Sequence, residues 1–136
     1  MFFNRIGYDK EDVKKAHVLG WASIGIGLAE LALTKQVQNL LGLDDTPQRR
    51  GIFRTLGVRE VLHGVSILIQ DKPDVGMRTG VWSRVAGDAL DTALLAKAST
   101  RTKKPIQFGI VSAMVMAIGA ADFLCASRLS SKYADA

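Results

Sequence analysis

A single cysteine, Cys125, excludes an internal disulfide and cannot form a thiolate metal cage by itself. Prolines number only three, so each reads as punctuation: Pro47 closes a turn and start signal at Asp44-Asp45-Thr46-Pro47, Pro73 marks a second turn, and Pro105 opens a helix. No GxxxxGK[ST] loop, GxSxG elbow or HExxH pair occurs, which removes the commonest phosphate-binding, serine-hydrolase and zinc-protease signatures and leaves any catalytic residue unknown. RVAGD at Arg84 to Asp88 holds one glycine and lies inside an apolar stretch, so it is not a nucleotide loop. There is no repeat and no low-complexity segment. The start, MFFNRIGYDKEDVKK, lacks the long apolar core of a cleavable signal peptide.

Apolar residues make up 48% and charged residues 23% of the 136 positions, a composition that an ordinary soluble domain could also have. Their distribution is the informative property. Charges crowd into short segments and leave four apolar stretches between them, each near the roughly 20 residues that a helix needs to cross a hydrocarbon core. The expectation is therefore all-α: a four-transmembrane-helix antiparallel bundle with charged residues in its interior, forming one domain over residues 1–136, with spans at about 16–33, 51–70, 80–98 and 105–127. The last stretch is the clearest, because Ile106 to Ala126 contains only Asp122 and Cys125 as ionisable groups. The second and third are weaker, with Arg54, Arg59, Glu60 and His63 in one and Arg84, Asp88 and Asp91 in the other. Leu31 to Leu43 either extends the first helix or lies along the interface, with Val37, Leu40 and Leu41 on one face.

Thirteen glycines favour lipid over water, since each costs an exposed helix about 1 kcal/mol relative to alanine but lets packed helices approach closely. Ser23 with Gly27, Gly25 with Ala29, Ala89 with Ala93, and the row Ala113, Ala117, Ala121 have the spacing of such contacts. The net charge of +5 follows from membrane placement rather than from a nucleic-acid partner, because 15 of the 18 Lys and Arg residues fall outside the spans or at their last turns. The expected partners are the lipid bilayer and a homo-oligomer or another membrane protein. Four spans put both termini on one side, and eight cations there against seven opposite lean to the cytoplasm.

An ionisable residue within a span costs a few kcal/mol unless it faces the interior and finds a partner. The residues concerned are Glu30, Arg54, Arg59, Glu60, His63, Arg84, Asp88, Asp91 and Asp122. Arg84, Asp88 and Asp91 form one stripe, and Glu60 shares a face with His63. Counting depth at 1.5 Å per residue sets Glu30 level with Arg54, Arg84 with Asp122, and Arg59 with Asp91. Five acids face three arginines, so charge is left over near Glu60, Asp88 and Asp91, where at least one carboxyl is expected to hold a proton near neutral pH.

GVRE at Gly57 to Glu60 followed by Gly64, RVAGD with Asp91 three residues on, the GxGxxE of Gly25 to Glu30, and the acid in AAD at Asp122 resemble a family of small bacterial four-helix membrane proteins of unassigned function. Some of these are attached to polyketide cyclase/dehydrase-like domains, and no such domain exists in this chain. The resemblance implies fold, placement in the bacterial inner membrane, and that Glu30, Arg59, Glu60, Arg84, Asp88 and Asp91 belong to the family's pattern.

Three functions fit these residues. The first is a structural or accessory component whose interior ion pairs set helix register. The second is a proton- or cation-coupled transport element, since carboxylates within spans mark ion pathways. The third, a metal-dependent membrane enzyme, rests on Glu60-x-x-His63, whereas di-iron bundles have two such elements and this chain has one. No metal ligand set and no cofactor is assigned.

Overall fold

The computed structural model describes residues 9–133, so the reading of the first residues as lacking a signal peptide, and Arg5, lie outside the described residues. Among the described residues five helices follow one another: α1 Lys10–Ala32, α2 Thr34–Leu40, α3 Pro47–Leu68, α4 Val75–Ala98 and α5 Pro105–Lys132. Their starts obey local chemistry. Asp9, Thr46 and Asp74 accept hydrogen bonds from the first-turn amides of α1, α3 and α4, and Pro47 and Pro105 occupy first-turn positions where a missing amide costs nothing. α1 breaks at Leu33, and α2 turns away from it by 99°. α2 buries Thr34 and Gln38, while Val37 is half-buried and Leu40 exposed. Gly42, at φ +70°, turns the chain beyond α2, a conformation that glycine adopts without a Cβ clash.

α1 runs antiparallel to α3 and α4 to α5; α3 joins α4, while α1 and α5 touch sparingly. The α1–α3 seam is made by glycine. A Cβ on Gly27 would lie 2.6 Å from the Gly57 carbonyl oxygen, and one on Gly64 would lie 2.5 Å from that of Gly20. Gly27 therefore acts as expected with Ser23, both being buried. Gly25 instead meets open space, and Ala89, Ala93, Ala113, Ala117 and Ala121 are exposed, so those small-residue rows do not make helix contacts in this chain.

An apolar cluster of Val13, Ala16, Ile67, Met77, Val81, Ala126, Leu129 and Tyr133 fills the end where both limits of the described chain lie. Deeper in, the buried stripes become small and charged, with Ser23 and Gly27 on α1, Gly57 and Glu60 on α3, Arg84 and Gly87 on α4 and Asp122 on α5. Large apolar side chains occupy the outside, including Trp21, Leu62, Ile69, Ile106 and Leu124.

The expectation of four transmembrane helices is overturned, because among the described residues α5 is the one helix that is by itself long and apolar enough to cross a membrane, α1 and α2 passing only together, as a pair bent by 99°. Just 11% of its apolar window is buried, unlike the core helix of a water-soluble protein. The others fail for physical reasons. α1 ends at Ala32 and carries Lys10, Glu11, Asp12, Lys14 and Lys15 at its start, so the stretch 16–33 runs into the break at Leu33. α3 contains Arg49, Arg50, Arg54, Arg59 and Glu60, and α4 contains Arg78, Arg84, Asp88, Asp91 and Lys97. A four-transmembrane bundle is thus not the architecture, and the placement of both termini on one side no longer follows from counting spans.

Candidate functional site

The interior charges form a chain of alternating sign across three helices. Arg84 on α4 donates from Nε to both Asp122 oxygens at 3.0 Å and from Nη2 to Oδ2 at 2.8 Å. Its Nη1 donates to Glu60 Oε2 on α3 at 3.0 Å. The same oxygen accepts from Ser23 Oγ on α1 at 2.9 Å, and that hydroxyl also lies 2.6 Å from the Glu60 carbonyl oxygen. Arg59 Nη2 reaches Glu60 Oε1 at 3.0 Å and both Asp91 oxygens at 2.9 Å. The order is Asp122, Arg84, Glu60, Arg59, Asp91.

Hydration changes along this chain. The side chains of Arg84 and Asp122 are 1% and 0% exposed, whereas those of Arg59 and Asp91 are 21% and 23% exposed. Charge is therefore driest where the hydrogen bonding is most complete, which is how a buried ion is tolerated. Gly87 makes room for the guanidinium: a Cβ there would lie 3.2 Å from Arg59 Cζ.

Depth arithmetic placed Arg84 with Asp122 and Arg59 with Asp91, and both pairs form. Glu30 and Arg54 do not pair. At their level the α1 and α3 backbones touch through Gly27 and Gly57, leaving no space for a guanidinium between them; Arg54 is exposed, and Glu30 lies against Gly57. His63 Nδ1 stands 3.9 Å from Glu60 Oε1 and is buried without a hydrogen-bond partner, as are Asp88 Oδ2 and the Nε and Nη1 of Arg59. With Asp91, Glu60 and Asp122 matched to Arg59 and Arg84, the acids of the chain exceed its arginines by one, before Asp88 and Glu30 are counted. Among the described residues no three His, Cys, Asp or Glu side chains are grouped to hold a metal ion, and both oxygens of Glu60 are engaged by arginine.

A third buried acid, apart from Glu60 and Asp122, lies at the other end of the helices. Asp12 in the first turn of α1 is 2% exposed and accepts from Lys132 Nζ at 3.0 Å, Tyr133 Oη at 2.7 Å and Arg128 Nε. Burial acts to raise its pKa, but the hydrogen bonds from Arg128, Tyr133 and Lys132 outweigh it and hold the carboxyl at about 2. The available signal was the spacing of Arg128 and Lys132, four residues apart and hence on one face of α5. Trp82 stacks edge-on against Phe123 with ring centres 5.9 Å apart. His17 Nε2 lies 2.6 Å from the Gln70 carbonyl oxygen.

No protein-family model, curated protein or solved structure matches this chain.

Proposed function

We propose that this is a small integral membrane protein, anchored by α5, in which the Asp122–Arg84–Glu60–Arg59–Asp91 chain is a structural lock that holds the helices in one register. One observation carries the reading: charge is inside and large apolar side chains are outside. Arg84 and Asp122 are buried while Ile106 is 79% exposed and Trp21 66% exposed, the reverse of the distribution that water imposes. Around α5, acyl chains as solvent remove that penalty for Ile106, Ile110 and Leu124, and Asp122 becomes the group that must be satisfied internally. The role is accessory rather than catalytic, because the most buried charges are fully engaged with one another. Membranes washed with alkaline carbonate should retain the protein; release as a monodisperse, detergent-free species would overturn the reading.

A second reading, a proton- or cation-coupled transport element, draws on two partnerless buried groups, Asp88 Oδ2, packed against Gly119 of α5, and His63 Nδ1 beside Glu60. Proteoliposomes loaded with a pH-sensitive dye test it. Flux abolished by Asp88→Asn favours transport, and absence of flux leaves the structural role.

A further inference from the structure

α1 and α5 are joined at one end by Asp12, Arg128 and Lys132, yet beside that junction they part, leaving an open groove of about 460 Å³. Its walls are of two kinds. Val18 and Leu19 on α1 face Leu124 and Ala121 on α5 to make an apolar floor. The mouth carries Lys14, Lys15 and Arg128 against a single acid, Glu11. Arg128 is held in place by donating through Nε to Asp12, whereas Lys14 and Lys15 are exposed and make no side-chain hydrogen bond or ion pair among the described residues. From Arg128 to Ala121 the α5 wall runs roughly 10 Å at 1.5 Å per residue. That length suits a headgroup at the mouth and the upper part of an acyl chain below it.

Resting on the membrane reading above, we propose that this groove binds a phospholipid with an anionic headgroup, its phosphate at Lys14, Lys15 and Arg128 and its acyl chain along Val18, Leu19 and Leu124. Charge complementarity selects this occupant. A second copy docked through the same face would bring Lys14, Lys15 and Arg128 against their own counterparts, an arrangement of like charges. A zwitterionic lipid would fill the floor equally well but gain less from the three cations, each of which attracts an anionic headgroup.

The test is native mass spectrometry of the full chain in mild detergent, titrated with phosphatidylglycerol and, separately, with phosphatidylcholine of identical acyl chains. Three proteins are compared: the wild type, the double variant K14Q/K15Q and the groove-filling variant A121W, with helical content checked by circular dichroism. Wild type should retain phosphatidylglycerol at least about tenfold better than phosphatidylcholine. K14Q/K15Q should lose that preference while still taking up both lipids weakly, and A121W should lose retention of both. Equal retention of the two lipids by wild type overturns the proposal, as does a preference that survives both variants. So does a cross-link between Cys125 residues of two copies that phosphatidylglycerol fails to suppress. Vesicle flotation separates this from the underlying reading, because a protein that enters neither vesicle type overturns both, whereas entry into both without preference overturns the groove alone.

Discussion

Arg84 and Asp122 face each other from antiparallel helices with three hydrogen bonds of 2.8 to 3.0 Å between them. Both are sealed from solvent, so neither has a substitute partner in water when the other is removed. Asp122→Leu alone should cost about 3–5 kcal/mol, because it leaves a buried guanidinium short of its main partner. Arg84→Met combined with Asp122→Leu should cost less than the sum of the two single variants, Glu60 retaining Arg59. Denaturation by SDS in mild detergent measures all four corners of the cycle, and additive losses would show that the pair is not coupled.

Asp88 and Asp91 lie three residues apart on α4 with opposite expectations. Both Asp91 oxygens accept from Arg59, whereas Asp88 Oδ2 is buried without a partner beside the acid-rich chain. Asp91→Asn should cost about 1 kcal/mol, discounted for its partial exposure. Asp88→Asn should be neutral or stabilising, since an amide carries no charge that must be matched at this buried, partnerless position. The same unfolding titration decides it, and a larger loss for Asp88→Asn would mean that this carboxylate is paired.

Gly27 and Gly25 separate close packing from helix propensity within one helix. Gly27→Ala puts a methyl 2.6 Å from the Gly57 carbonyl oxygen, a backbone atom that cannot turn aside. The helices must part, at a cost of about 1–3 kcal/mol or more. Gly25→Ala meets open space and should gain about 0.5–1 kcal/mol. Thermal melts followed by circular dichroism should move in opposite directions for the two variants.

Asp12 predicts the acid limb of stability. Its carboxyl sits at about 2 in the folded chain against an ordinary 3.8, so the folded state prefers the ionised form. This contribution is fully present above the unfolded value and disappears as pH falls from about 4 toward 2. Unfolding midpoints of wild type should drop across that window. Asp12→Asn should start lower and show a flatter profile, and two parallel profiles would remove Asp12 from the acid response.

Much of the local organisation was legible in the residues. Thr46-Pro47 and Pro105 mark helix starts because capping and a missing amide act within one turn, whereas Pro73 marks only a turn and the Asp74 cap starts α4 five residues before the expected 80. The Arg84–Asp122 and Arg59–Asp91 pairs were legible because depth in antiparallel helices is a residue count multiplied by a constant rise. Glu30 and Arg54 show where that arithmetic stops: depth matched, but rotation about the helix axis did not.

An all-helical chain, the starts of α3 and α5, the acids and arginines that share a level, and an α5 apolar enough for a bilayer all follow from the residues alone. Only the tertiary structure decided the rest. The break at Leu33, the outward Ala113, Ala117, Ala121 row, the glycine seam that expels Arg54, the burial of Asp12 and the open side between α1 and α5 all depend on which segment lies against which. The physical reason is range: capping, periodicity and rise act over one or two turns, whereas a helix's rotation and neighbours are set by contacts between residues dozens of positions apart.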